Sequence, residues 1–316
     1  MTNKIYDVII VGGGPAGLSS ALYTSRANLS VALFEKEITC ARLYETEHID
    51  NYLGAFSTNA SELANKMSED ALKFGADIFT FTKVNKITKG VDYYKIEVSD
   101  IVDSDNKEFY YSKAVLLATG TEHNHLLLDK HDKLLGNGIS YCATCDGAFY
   151  NDSAVAVVGG GDSAMESALL LSEYANKVYL LVRNKIRAKA HLWKLVKEKE
   201  NIEVIYNEID NLLIDNEKLT GVKLNNGKII NIQGLFPAIG ASPNTNYIDT
   251  LYLRNIDNYN DYLLPKITNS NNLTYHNGEG LFIAGDLKNP KYRQVAIAVG
   301  EGAYAALEIY DYLKGL

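Results

Sequence analysis

Two stretches of this chain share one pattern of apolar and polar positions. In "YDVIIVGGGPAGLSSALYTSR" (6–26) and "AVAVVGGGDSAMESALLLSEY" (154–174), an apolar, β-branched run breaks into glycines and then into small and apolar residues at helical spacing. Each predicts strand, tight turn and helix, the opening of a βαβ unit. The two turns lie nearly half the chain apart, too far for a solenoid repeat and suited to two similar domains. Between them the period changes. "SELANKMSEDALKFG" (61–75) predicts an amphipathic helix. "DYYKIEVS" (92–99) and "KEFYYSKAVLLATG" (107–120) predict strands around an acidic turn, an antiparallel insertion in the first domain. Past the second turn, "KVYLLV" (177–182) predicts a strand and "HLWKLVKEKE" (191–200) a charged helix, with short strands continuing to "GLFPAIG" (234–240). The segment 280–315 predicts strand, loop and long helix. "ATGTEHN" (118–124) and "AIGASPN" (238–244) each follow a strand and open a Gly-containing loop. They are the expected crossings if the second domain is inserted into the first. The Tyr/Asn-rich 255–263 needs nothing beyond strand and surface loop.

Composition narrows the function classes. At 316 residues there is room for two domains, each with its own core. The 47% hydrophobic and 22% charged content is that of a globular chain. A net charge of −8 opposes nucleic-acid binding, which needs a basic surface to displace counterions, and opposes an anionic membrane face. No run reaches the roughly 18 apolar residues of a membrane-spanning helix. "MTNKIYDVIIVGGG" enters a strand pattern directly, without an apolar leader or cleavage site, so the expectation is a cytoplasmic protein. Three cysteines, Cys40, Cys142 and Cys145, are too few for a secreted disulfide scaffold.

Gly12, Gly14 and Gly17 fit G-x-G-x-x-G. The first glycine permits the tight turn, the second lets backbone approach a pyrophosphate, and the third lets helix pack on strand. The helix N-terminus offers free N–H groups and partial positive charge to phosphate. Glu35 ends the next strand, where a carboxylate accepts hydrogen bonds from a ribose 2′-OH. Gly159, Gly161 and Ala164 fit the same pattern with alanine third. There the next strand runs into Arg183, with Arg187 following, and cations at that place favour a ribose 2′-phosphate. The plainer alternatives are a glycine turn that binds nothing and surface arginines at a helix start. One loop for a free ribose and one for a phosphorylated ribose suggest FAD at the first and NADPH at the second.

"YCATCDGAFY" (141–150) places Cys142 and Cys145 three apart, with Asp146 directly behind. Zinc would need two further ligands; Cys40 is the only other cysteine, and no H-x₃₋₅-H follows the pair at finger spacing. As a staple, a bond across two residues closes too small a loop to stabilise much. The remaining reading is a redox pair, with the thiolate favoured at a helix start. Reducing a disulfide takes two electrons and two protons, so a neighbouring acid is useful. Asp146 also suits a helix cap or first-turn acid, which is compatible with that role.

With "VGGGPAG" (11–17), "ATG" (118–120), "CATCDG" (142–147), "VGGGDSAMESA" (158–168) and "GLFIAGD…YRQ" (280–294) in this order, nearly the whole chain resembles the small, bacterial-type thioredoxin reductases. The resemblance implies an α/β fold of two Rossmann-like three-layer dinucleotide-binding domains, the second inserted into the first. The expected boundaries are 1–119 with 242–316 for FAD, and 120–241 for NADPH and the C-x-x-C. It implies a homodimer whose two domains rotate, and thioredoxin or a thioredoxin-like protein as partner. On the FAD side it implies Gly12, Gly14, Pro15, Ala16, Gly17, Glu35, Arg42, Leu43, Asn51, Ala118, Thr119, Gly120, Asp286, Arg293, Gln294 and Val295. On the NADPH side it implies Gly159, Gly161, Asp162, Ser163, Ala164, Arg183 and Arg187. Cys145 is the expected flavin-facing thiol, Cys142 the attacking one, and Asp146 the proton donor.

Two departures from the family pattern stand out. Cys40-Ala41-Arg42-Leu43 occupies the place of a Gly-Gly-Gln-Leu segment, so backbone contacts there should change and Arg42 adds charge near the flavin or its phosphates. Cys40 is either a flavin-proximal thiol or a packed core residue. "VRNKIRA" (182–188) replaces a His-Arg-Arg-x-x-x-Arg segment with one residue fewer, which opens ferredoxin as an alternative donor. A dithiol oxidase would not need the second nucleotide loop. The peroxide-system reductases carry an extra N-terminal redox domain, whereas this chain starts at its first strand. A nucleotide sensor with a redox switch would bind flavin or nucleotide without multiple turnovers.

Overall fold

The structure is a computed structural model that describes residues 4–45, 48–55, 58–248, 253–255, 263–265, 279–288 and 292–315. Two compact units divide the chain, Met1–Glu122 with Ser242–Leu316, and His123–Ala241. Among the described residues, no helix is long and apolar enough to cross a membrane.

In the first unit, β1 (Ile5–Val11) turns through glycines into α1 (Pro15–Arg26), which returns the chain to β2 (Val31–Phe34), parallel to β1 with Val8 beside Val31. A short pair, β3 (His48–Ile49) and β4 (Thr58–Asn59), leads to α2 (Ala60–Leu72). Asn59 caps α2, its Oδ1 accepting the Ser61 N–H at 3.0 Å. β5 (Asp77–Phe79), β6 (Thr82–Lys89), β7 (Tyr94–Asp100) and β8 (Lys107–Leu117) complete this half of the sheet. The order is β5-β2-β1-β8-β7-β6, parallel from β5 to β8 and antiparallel from β8 to β6.

The chain crosses into the second unit within β9 (Thr121–His123) and continues through α3 (Ala143–Asp146), β10 (Ala154–Val158), α4 (Asp162–Leu171), β11 (Lys177–Val182), α5 (Ala190–Glu198) and β12 (Ile202–Tyr206). An antiparallel meander follows, β13 (Ile209–Asp215), β14 (Lys218–Leu224) and β15 (Ile229–Asn231), and then β16 (Gly234–Pro237). β12-β11-β10-β16 form a four-stranded parallel sheet. The chain leaves through β17 (Ala241–Pro243), which pairs with β9. Back in the first unit come a pair, β18 (Leu253–Asn255) with β19 (Leu263–Pro265), then β20 (Leu281–Ile283) beside β8, and α6 (Val295–Lys314). Most of 255–263 lies outside the described residues.

Both units are layered, because alternate residues of each parallel strand feed opposite cores. Val8, Ile10, Leu33 and Leu116 pack against α1, α2 and α6 with Phe282 and Ile309, while Ile9, Phe34, Leu117 and Ile283 pack on the other face with Ile96. In the second unit Val155, Val157 and Leu180 meet Met165 and Leu171 of α4. Ala156, Leu181 and Leu235 meet Leu212, Val222 and Leu224 of the meander. This is the expected pair of Rossmann-like layers.

β6 is the strand that the apolar pattern does not announce. Only Val84 and Ile87 of it are buried, three apart, because the pairing with β7 shifts register between Val84 and Lys86. A bulge of that kind breaks the alternation by which a strand is read.

The closest seam of the first unit joins α1 to α6. A Cβ at Gly302 would run into the carbonyl of Ala16, whereas a Cβ at Gly300 would meet nothing within 4 Å. Ser19 Oγ donates to Val299 O at 2.8 Å across the same seam. Gly302→Ala should therefore destabilise the first unit by about 1–3 kcal/mol through overpacking. Gly300→Ala should be neutral or stabilising by up to about 1 kcal/mol, since alanine is the better helix former. Urea unfolding followed by the α-helical circular dichroism signal compares the two; equal midpoints would show that the seam yields.

Candidate active site

The first glycine turn is tied down from three directions. Gly12 has φ +107, and a Cβ there would strike the backbone of Ala118. The Gly12 N–H donates to Phe34 O at 2.8 Å and the Ala118 N–H to Val11 O at 2.8 Å. Gly17 has no room for a side chain either, since a Cβ would run into the Gly12 carbonyl. Gly14 differs: it is the N-cap of α1, makes no side-chain cap, and a Cβ there would meet nothing within 4 Å. The helix start, with Pro15 first and buried Ala16 next, thus presents uncapped N–H groups toward open space, the arrangement a phosphate needs.

Glu35 sits where the sequence predicts it, but the loop already uses its carboxylate. Oε2 accepts the Gly13 N–H at 2.6 Å and Oε1 the Glu37 N–H at 3.1 Å. A carboxylate has about four lone-pair sites, so capacity for ribose hydroxyls remains.

The Cys40–Leu43 segment follows. Cys40 has φ +55, a left-handed backbone that glycine adopts without cost and a cysteine adopts under strain, held by its N–H bonding to Gly13 O at 2.9 Å. Its thiol is 3% exposed in the core beneath α1. Burial first, and then Glu35, push its pKa up to about 12. Of the two readings for Cys40, the packed core residue is the one the structure shows. Leu43 is buried beside it, and Arg42 is exposed.

Several distant residues converge in the same unit. Asn51 Nδ2 donates to Gln294 Oε1 at 2.9 Å, joining the loop after β3 to the residue that opens α6 ahead of Val295. Burial raises the Asp286 carboxyl above its ordinary range, and the charges of Arg293 and Arg42 pull it part of the way back. Gly285, at φ +72, donates its N–H to Glu301 Oε2 at 2.8 Å. Burial also raises Glu301, and Lys288 opposes the rise. Thr119 Oγ1 donates to Asn244 O at 2.7 Å and lies 2.7 Å from the Tyr247 hydroxyl, while the Asn244 N–H bonds Gly120 O at 3.2 Å. The Ala118–Gly120 turn is thereby pinned to the returning chain.

The second glycine turn repeats the first with one methyl added. A Cβ at Gly159 would strike the backbone of Ala238 and lie 2.9 Å from the Ala164 methyl. Gly161 is an uncapped helix N-cap whose Cβ would meet nothing within 4 Å. Gly160 O accepts the N–H groups of Arg187 at 2.6 Å and Ala188 at 3.1 Å, so the arginine segment wraps the turn. Ser163 is exposed on the first turn of α4. Asp162, an acid at the helix start, is turned aside: Oδ1 accepts the Lys189 N–H at 2.7 Å and Oδ2 pairs with Lys189 Nζ at 3.1 Å. Burial would raise the Asp162 carboxyl, but Lys189 outweighs it and holds it below the usual range. Arg183 and Arg187 are exposed, and Arg183 Nε lies 3.7 Å from Glu208 Oε1.

Cys142 and Cys145 are joined by a disulfide. Cys142 is the N-cap of α3, and its Sγ accepts the Cys145 N–H at 3.1 Å. Ser140 Oγ accepts the Cys142 N–H at 3.0 Å. Asp146 closes the first turn, and its Oδ1 is buried without a hydrogen-bond partner. Burial raises the Asp146 carboxyl, against a smaller lowering by a hydrogen bond from Ser140. An acid so placed holds its proton above the ordinary carboxylate range. The first-turn placement and the proton-holding environment coexist in one side chain.

Around the first turn the structure brings Glu35, Cys40 with Leu43, Ala118 and Gly285 with Asp286, and it joins Asn51 to Gln294 elsewhere in the unit; around the second it wraps the Arg183–Arg187 segment. Sequence reading missed Glu301, Lys189 and Tyr247. A lone acid between glycines in the small-residue start of α6 is a signal that could have marked Glu301; nothing local marks the other two.

The family model of the pyridine nucleotide-disulphide oxidoreductases matches residues 6–302. The chain is similar to a thioredoxin reductase of Bacillus subtilis, 35% identical over 323 residues that cover 99% of this chain and 96% of that one. The crystal structure of a thioredoxin reductase from Streptococcus pyogenes matches with a TM-score of 0.87 at 31% identity, covering 100% of both chains. A ferredoxin-flavin thioredoxin reductase from Clostridium acetobutylicum is 30% identical, with a TM-score of 0.51, over 98% of this chain and 99% of that one.

The buried, high-pKa thiol of Cys40 and the closed Cys142–Cys145 bond set a clear expectation. The oxidised native protein should show no fast-reacting thiol toward a chromogenic disulfide reagent at pH 8, and one after unfolding. A fast native thiol would place Cys40 at the surface.

Proposed function

The chain belongs to the pyridine nucleotide-disulphide oxidoreductases, and on that footing we propose that it is a thioredoxin reductase, a flavoenzyme passing electrons from NADPH through FAD to Cys142–Cys145 and on to thioredoxin. The observation that carries this reading is the closed disulfide at the start of α3 with Asp146, its Oδ1 buried, directly behind it, in a chain with two uncapped glycine turns.

The residues fit both nucleotides. The space left by Gly14 and Gly161 is the cradle a Cβ would begin to fill, at helix starts with unpaired N–H groups. In the first unit, Gly12, Pro15, Ala16 and Gly17 shape the FAD phosphate turn and Glu35 takes the ribose. Arg42 and Arg293, both acting on Asp286, supply positive charge near the phosphates. Leu43, Asn51, Ala118–Gly120, Gln294 and Val295 line the remainder of the cofactor. In the second unit, Gly159 and Gly161–Ala164 hold the NADPH pyrophosphate, with Arg183 and Arg187 for the 2′-phosphate. When bound, FAD supplies two-electron exchange between the nicotinamide and the disulfide.

Opening the Cys142–Cys145 bond consumes two electrons and two protons and leaves two thiols. The Cys145 N–H aimed at Cys142 Sγ favours a thiolate on Cys142, so Cys142 is the attacking sulfur. It bonds to one sulfur of the acceptor's disulfide, and the departing sulfur takes a proton from Asp146. The Cys145 thiol then gives its proton to the Asp146 carboxylate and attacks Cys142, reforming the intramolecular bond; that proton passes to the second departing sulfur, and the acceptor leaves as a dithiol. The reading extends to a homodimer, since Tyr23 of α1 and Tyr304 and Leu307 of α6 leave apolar surface exposed, and to the cytoplasm, where such thiols stay reduced.

A second reading replaces NADPH by ferredoxin. It rests on Asn184 standing within the arginine segment, on Glu208 beside Arg183, and on a sequence identity to the ferredoxin-flavin thioredoxin reductase, 30%, close to the 31% of the Streptococcus pyogenes enzyme.

Anaerobic titration separates the two. The purified protein should be yellow and be bleached by NADPH; bleaching by reduced ferredoxin alone would reverse the donor assignment. Cys145→Ser should keep flavin reduction by the donor and lose thioredoxin reduction; retained turnover would overturn its role. Asp146→Asn should lower thioredoxin turnover by about 10²-fold or more with flavin reduction unchanged. Because the Asp146 pKa is raised, wild-type turnover should fall as pH rises through it, and that limb should vanish in Asp146→Asn; an unaltered pH profile would remove Asp146 from proton transfer.

A further inference from the structure

Upstream of the cysteine pair, the second unit gathers a group of side chains that neither nucleotide loop nor the disulfide uses. His131 is 3% exposed, at the entry to the 3₁₀ turn Asp132–Leu134. Its Nδ1 lies 3.0 Å from Asp132 Oδ1 and its Nε2 lies 2.9 Å from the Tyr141 hydroxyl. The exposed His125 sets its ring edge-on to His131, with centroids 5.3 Å apart, and to Tyr141 at 5.9 Å. One ligand atom from each of His125, His131 and Asp132 falls within 4.8 Å of the other two.

A hydrogen-bonded core histidine explains part of this. With Nδ1–H donating to Asp132 and Nε2 accepting from Tyr141, His131 is satisfied. It does not explain why a second imidazole is brought to the same carboxylate. Donor atoms that share an ion at about 2.0–2.2 Å stand roughly 3 Å apart, and Nδ1 of His131 and Oδ1 of Asp132 already have that spacing. His125 is exposed, so a rotamer change suffices to complete the set. Tyr141 meets the other nitrogen of His131, the position from which a partner orients a metal-bound imidazole. Two imidazoles and one carboxylate suit zinc-class ions and not magnesium or calcium, which prefer all-oxygen shells.

The geometry points to a binding site for one divalent transition-metal ion of the zinc class, held by His125, His131 Nδ1 and Asp132, with water in the remaining positions. On binding, the His131 proton moves from Nδ1 to Nε2 and the Tyr141 oxygen turns from donor to acceptor. No electron is transferred. Tyr141 directly precedes Cys142, so the ion tethers the residue next to the redox pair without touching a sulfur.

The test uses the full-length oxidised protein, in which Cys142 and Cys145 are bonded to each other and cannot bind metal. Zn²⁺ is titrated calorimetrically, and Co²⁺ by visible absorption. One equivalent should bind at pH 7.5. His125→Ala and Asp132→Asn, both surface changes, should each weaken binding by about tenfold or more, and His191→Ala, on exposed α5, should not. Bound Co²⁺ should show nitrogen–oxygen ligand-field bands without thiolate charge transfer. No stoichiometric Zn²⁺ at pH 7.5, equal affinity in the His125 and Asp132 variants, or a thiolate band would each overturn the site.

Discussion

The contact of α1's first turn with the middle of α6 is the constraint on which the first unit rests. That unit is assembled from both ends of the chain, and its halves must meet without a side chain between them. Gly302 lets α6 come down onto the Ala16 carbonyl, and Gly285 lies close against the Ala16 methyl. The same first turn of α1, which begins at Pro15, carries no side-chain cap, so the N–H groups that follow the proline stay open to an anion. Packing on one side of the turn therefore fixes the direction in which the anion-binding side points. The loop in front of it is held by Glu35 and Cys40, which bond to the two polar groups of Gly13. Rigidity of this kind matters because oriented dipoles hold a phosphate only if the backbone does not reorganise to meet it.

The two glycine turns solve one problem with different details. In the first, a third glycine is required because a methyl at Gly17 would enter the Gly12 carbonyl. In the second, the buried Ala164 is accommodated. The first helix begins with proline and no acid, whereas the second begins with Asp162, whose charge would repel a phosphate if it faced the turn. Lys189 takes both oxygens of that carboxylate and removes the conflict. Cys142 and Asp146 show the opposite treatment of polar groups. The sulfur is given a donor, and the carboxyl oxygen is buried without one. A donor N–H meets the sulfur at one end of a single helical turn, and burial raises the carboxyl at the other.

Much of this was legible along the chain. The apolar runs of β1, β8, β10 and β11, the helices α2, α5 and α6 and the antiparallel insertion follow from period and turn residues, because burial on both faces of a parallel strand leaves a continuous apolar run. β6 was not legible, since its bulge puts Val84 and Ile87 out of alternation. The Cys142–Cys145 pair and both glycine patterns were legible because their chemistry lies within a few consecutive residues. The histidines upstream carried no such mark: His125, His131 and Tyr141 become a group only when the loop folds back on itself.

By itself, then, the order of residues determined the doubly wound layers, the two nucleotide turns and the redox pair, because steric room at a glycine, helical or strand period and the three-residue spacing of cysteines are local properties. Only the tertiary structure decided that Glu35 is already bonded to its own loop, that Cys40 is a buried core thiol in a left-handed turn, that Glu301 anchors Gly285, and that burial raises the Asp146 carboxyl. Those outcomes depend on desolvation and on hydrogen bonds between residues far apart in sequence, and both are set by whatever the fold brings alongside a group, not by its neighbours in the chain.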